Sequence, residues 1–181
     1  MSFTKYGKAL LLKSFFGKIK DQSQNLYVCL LTSVNSISDT VDGCTGFEEV
    51  SKTTIVNETS YPNGYARQPL VKWISNGGYG NYETVFGDPA EGTGEDAGRI
   101  VIKNTVPIEF PENYNEVLDQ NVNLNNGQPI QYFGIVDKET DGNLVAYWDL
   151  KLNAITVTSN DAIKPTIRAG KMVFRSAADT E

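Results

Sequence analysis

The stretch YPNGYARQPLVKW (61–73) sets an arginine, Arg67, among tyrosines, prolines and a glycine, with Lys72 further along. An arginine in such surroundings can clamp an anionic ligand, stabilise a reacting charge, or pin a loop to a strand. The first two roles need partners. The chain has no histidine, which removes the usual triad base and the commonest metal ligand together. No Gly-Lys-Ser/Thr phosphate loop is present either. Arg67 is therefore expected to be a structural pin, bonding a carboxylate or backbone carbonyls while Tyr61 and Tyr65 offer their rings for stacking.

Carboxylates remain the other source of chemistry. A glycosidase of the two-acid kind needs a pair roughly 5–9.5 Å apart at a cleft, and no spacing in the sequence proposes such a pair. The loop GDPAEGTGEDAGR (87–99) carries four acids among four glycines. It lacks the alternating oxygen ligands and terminal glutamate of a calcium loop, so it reads as a solvated excursion between strands. Asp137, Glu139 and Asp141 read as hairpin-turn residues. The chain is expected to be non-enzymatic, with no catalytic, cofactor-binding or metal-binding residue and no cofactor; a carboxylate-based polysaccharide hydrolase is the less favoured alternative. Trp73, Tyr79 and Tyr82, around the glycine-rich NGGYGNY, could form an aromatic platform for a glycan, or simply close a loop over the core.

The elements that must position these groups are mostly strands. Residues 4–16 place Leu11 and Phe15 four apart, Leu12 and Phe16 likewise, with Ile19 continuing the first row, which predicts one short amphipathic helix. Thr4 or Ser2 can cap its start and Gly17 its end. From residue 26 onward the pattern changes to short apolar or alternating runs: LYVCLLT, FEEVSKTTIV, ARQPLVKWI, RIVIKNTVPIEF, QYFGIVD, NLVAYWDL, AITVTS and PTIRAGKMVFRS. KETDG between two of them predicts a hairpin turn at Asp-Gly. No helical crossovers separate the strands, so the expected fold is mainly β, an antiparallel β-sandwich (jelly-roll-like) with one short N-terminal amphipathic helix. Residues 1–20 are assigned to the helix as a docking segment and 21–181 to a single β-sandwich domain.

Composition limits the partners. A net charge of −6 over 181 residues disfavours nucleic acid, which demands clustered cations. No run approaches the roughly 18 apolar residues of a membrane span, and Lys13 interrupts the apolar stretch that superficially suggests a secretion signal. The match of Asn57-Glu58-Thr59 to a glycosylation acceptor is then accidental. Cys29, inside LYVCLL, reads as a core thiol and Cys44, in DGCTG, as an exposed one; two free thiols are expected, with a bridge between them the alternative.

Several segments together carry a resemblance: KALLLKSFFG, then LYVCLLTS, FEEV, GYARQPL, the Pro-Ile-Glu-Phe-Pro of 107–111, YFGIVDKETDGNLVAYWDL and a final AGKMVF. Over nearly the whole chain this order resembles small accessory structural proteins of bacteriophage virions, of head decoration, head fibre or tail fibre type. The chain departs from that pattern by a long insertion between FEEV and GYARQ and by the acidic loop. The resemblance implies a virion protein, assembled in the bacterial host cytoplasm, that works by binding other virion proteins: a capsid decoration or cement protein on the outside of the head, or alternatively a tail or tail-fibre component that binds a receptor or glycan. It implies partners among the major capsid or tail proteins and a homo-oligomer, with a trimer as one form suggested by virion symmetry. The expected interface is the helix, through Leu11, Leu12, Phe15, Phe16 and Ile19.

Overall fold

A computed structural model describes residues 2–15, 25–34, 39–50, 65–73, 82–115, 119–121, 123–150, 153–160 and 162–176. The chain is mainly β, with antiparallel pairing and one short N-terminal helix, and its layers are consistent with a β-sandwich.

The principal sheet has seven strands. Its centre is β2 (Leu26–Val34), an apolar run whose residues 28–31 are all buried, as expected of a strand covered on both faces. One side of β2 pairs with β11 (Tyr132–Val136), which pairs with β12 (Leu144–Asp149); the two-residue β1 (Ser2–Phe3) closes that edge. β2 also pairs with β3 (Phe47–Glu49) near its end and with β4 (Gln68–Trp73) near its start, and β4 carries β5 (Tyr82–Thr84). Pro69 cannot donate to a ladder, and it falls opposite Tyr27, beside the register shift between Leu26 and Tyr27 and before β5 begins to pair.

The remaining segments build smaller sheets. β6 (Ala90–Glu91), β7 (Ile100–Lys103) and β14 (Val173–Arg175) form one of three strands. β8 (Ile108–Glu109) pairs with β13 (Thr166–Ile167), and β9 (Tyr114–Asn115) with β10 (Gln120–Asn121). Phe174 of β14 joins the layers: its ring lies 5.3 Å from Trp148, 6.2 Å from Phe3 and 5.2 Å from Phe86. Such pairs each add about 0.5–1.5 kcal/mol to what their burial contributes.

Three details differ from expectation. The acidic loop at 87–98 contains β6, paired with β7, and a short 3-10 turn at Gly94–Asp96, with Arg175 bonded to Asp96 across the turn. AITVTS forms no strand among its described residues; Ile155 makes a single bridge to Ile130. Cys44 is not exposed. It is 1 % exposed because its segment folds onto the start of β12: Leu144 N–H donates to its carbonyl, and its own N–H donates to Asn143 Oδ1. Both cysteines are free thiols.

The helix α1 (Lys5–Phe15) grows directly from the sheet edge. Thr4, 3 % exposed, accepts the N–H of Gly7 at Oγ1 (2.9 Å), the capping geometry expected of it. Asp39 adds a second cap, its carboxylate accepting the N–H groups of Lys5 (2.8 Å) and Tyr6 (3.3 Å). Gly7 lets the first turn press against β12: a Cβ there would sit 2.0 Å from the Val145 carbonyl oxygen. The first turn is thus part of the core. No helix among the described residues is long and apolar enough to cross a membrane.

Candidate functional site

Arg67 sits just before β4, and its side chain is 7 % exposed. Each nitrogen of its guanidinium has a partner. Nε and Nη2 grip the Glu49 carboxylate (3.1 and 2.7 Å), while Nη1 donates to the carbonyls of Lys138 (2.7 Å) and Asp141 (2.6 Å). β3 supplies Glu49, and the β11–β12 hairpin supplies the carbonyls. That hairpin turns at Asp141 and Gly142, with φ of 55° and 84°, as Asp-Gly predicts. A side chain at Gly142 would also strike the Asp137 carboxylate, 2.5 Å from the Cβ position.

Tyr65 completes the corner. Its hydroxyl donates to Glu49 Oε1 (2.5 Å), accepts the N–H of Leu30 (3.0 Å), and its ring stacks on Phe110. Burial opposes the charge on Arg67, but the hydrogen bonds and charge of Glu49 outweigh it and hold the guanidinium above its ordinary pKa. Burial also pushes the Tyr65 hydroxyl well above its ordinary value, with Cys29 and Glu49 adding to the effect. The Cys29 thiol rises for the same first reason, burial, and then the charge of Glu49. Cys44 is raised by burial and by Asp39. Thiols and a phenol held in their protonated forms are poor nucleophiles.

Asp137 anchors the other side of the same hairpin. It is 6 % exposed, accepts the Tyr6 hydroxyl at 2.6 Å and the Asn143 N–H at 2.7 Å, and so ties α1 to the turn. Read from sequence as a turn residue, it is a buried link between two elements.

Beside Arg67 lies a cleft of about 460 Å³, bordered by Thr45, Phe47, Glu139 and Asp141. Its one carboxylate on a strand, Glu49, is committed to Arg67 and Tyr65. Arg67 has no pair of N–H groups left to grip an anion bidentately. Among the described residues no cluster of three or more Cys, Asp or Glu could hold a metal ion. Chemically, this corner fixes backbone: three segments far apart in sequence converge on one ion pair.

The helix presents the opposite situation. Tyr6 and Gly7 are buried and Leu10 is half-buried, whereas Leu11 is 52 % and Leu12 61 % exposed. Lys5 and Lys8 face solvent. Phe15 ends α1, and its side chain lies outside the described residues, as do Phe16 and Ile19. Trp73 and Tyr82 are register partners across β4 and β5; their side chains lie outside the described residues, and so do Tyr61 and Tyr79 entirely.

Sequence reasoning isolated Arg67 but not Glu49, Asp39 or Asp137. The available signal for Glu49 was weak: a charged residue in a short apolar-flanked strand, FEEV, within reach of one otherwise unexplained arginine. No protein-family model matches this chain, and no curated protein matches it.

Proposed function

We propose that this chain is a non-enzymatic structural protein of a bacteriophage virion that decorates the outside of the head through protein–protein contacts. The observation carrying the reading is the pair Leu11 and Leu12, each more than half exposed on a helix whose first turn is fixed to the sheet. Apolar side chains exposed on a pre-positioned helix are available as anchors for helix-in-groove recognition. Pre-positioning removes part of the ordering cost of binding. The order of segments from KALLLKSFFG to AGKMVF supports the virion assignment, and the charge of −6 suits a protein that stays off the packaged genome. A contact of ordinary size would bury about 800 Å² on each partner.

The test is electron cryomicroscopy of intact particles. Density for this chain on the head surface, with α1 against capsid protein, is the expected result. Density at the tail would replace decoration by a tail role, and particles without the chain would end the virion reading.

A further inference from the structure

A second concavity, of about 580 Å³, opens between the principal sheet and the β8–β13 pair. Its size suits a small organic ligand. Leu30 and Phe133, register partners on β2 and β11, line it together with Phe110, Ile155, Pro165 and Ile167. These side chains are apolar, and Asn153 and Thr166 add exposed polar groups to the lining. At its mouth stand Arg168 and Lys171, both exposed. Neither forms an ion pair among the described residues, a condition they share with Lys5, Lys8, Arg99, Lys103 and Lys138; of all these, only Arg168 and Lys171 also line the groove. Glu109, opposite Thr166 in the β8–β13 ladder, is already bonded to Lys164.

The turn carrying these two cations is held from below by Asn104, 1 % exposed. Asn104 Nδ2 donates to the Arg168 carbonyl (3.1 Å), and its Oδ1 accepts the Met172 N–H (2.9 Å). Its main-chain carbonyl accepts the Gly170 N–H (2.7 Å), and its main-chain N–H donates to the Met172 carbonyl (3.2 Å). Asn104 Nδ2 also donates to the Val106 carbonyl (2.8 Å), so a buried side chain fixes the main chain from which the two cations project, and a fixed lip loses less entropy on binding.

We propose that this groove binds a small monoanionic amphiphile of the fatty-acid kind, its apolar body among the groove side chains and its head group on Arg168 and Lys171. Charge complementarity favours this occupant: in an acidic protein, a largely apolar groove is fronted by two cations that form no ion pair among the described residues. The proposal does not depend on the virion reading.

Decanoate is the probe, with decyltrimethylammonium as the cation of equal chain length. Calorimetry on the full chain is expected to show saturable one-to-one binding of decanoate, about tenfold or more tighter than the cation. Trp148 stacks on Phe133 with ring centroids 5.0 Å apart, so its fluorescence reports occupancy. Arg168→Ala/Lys171→Ala removes only exposed side chains and leaves the Asn104 bonds to main chain; it is expected to weaken decanoate at least about tenfold. Thr166→Glu, an exposed change on the groove wall, is expected to weaken decanoate and spare the cation. Equal binding of both probes, decanoate affinity unchanged in both variants, or no saturable binding would overturn the proposal. So would self-association, seen by light scattering, that decanoate does not reverse and that Arg168→Ala/Lys171→Ala and Thr166→Glu abolish, which would place a second copy over the groove.

Discussion

The Arg67 corner and the outer side of α1 sit on the same domain and treat their groups in opposite ways. At the corner, one buried cation is divided among a carboxylate and two carbonyls, and the neighbouring tyrosine and aspartate are equally engaged. On α1, two leucines stand in solvent while the turn beneath them is fixed by Thr4, Asp39 and the Gly7–Val145 contact. Groups fully satisfied within the chain hold the fold; apolar groups left unsatisfied on a rigid support are available to a partner. Stability should therefore concentrate at the corner and association on the helix.

The largest expected effect is from Arg67→Ala, which leaves the Glu49 carboxylate partly buried without its cation. A loss of about 3–5 kcal/mol is expected, read as a lower urea midpoint with an unchanged slope. A loss near zero would erase the contrast between the two regions. Gly7→Ala comes next, because the new methyl must push α1 off the Val145 carbonyl; about 1–3 kcal/mol should be lost. If that variant is neutral, the first turn is not seated on β12 as described.

An alkaline shift gives a smaller effect confined to the corner. Cys29 and Tyr65 are held protonated by burial, so their folded pKa values lie above their unfolded ones. Their contribution is then complete below the ordinary thiol range, about 8.5, and declines as pH rises above it. The urea midpoint is expected to be lower at pH 10 than at pH 7, with Cys29→Ala flattening the dependence. A midpoint that rises between those two pH values would contradict the assignment. The smallest stability change belongs to Leu11→Asp/Leu12→Asp, within about 0.5 kcal/mol of the parent for exposed positions, accompanied by loss of particle association.

What could be read from sequence followed local signals. The Asp-Gly turn was legible because two positive-φ residues leave little choice of type, and Thr4 because capping is a one-turn rule. Arg67 was conspicuous, being an arginine among aromatics with no chemistry nearby. Its partners were not, since the bonded carbonyls lie at Lys138 and Asp141 and any residue carries a carbonyl. Asn104 was hidden for a similar reason: its work is to hold main chain, at Val106 and at 168–172. Cys44 misled because flanking glycines describe its own loop, while its burial is decided by the start of β12, a hundred residues away. The acidic segment at 87–98 misled likewise, its acids masking a short hairpin fixed in part by Arg175.

On the proposed head-decoration reading, the division of roles is tested most directly by cosedimentation of purified phage heads lacking this chain with the parent protein and with Leu11→Asp/Leu12→Asp. The expected result is that the parent pellets with heads while the variant stays in the supernatant, at an unchanged melting temperature. Pelleting of the folded variant at the parent level would show that the helix face is not the docking surface and would contradict the account.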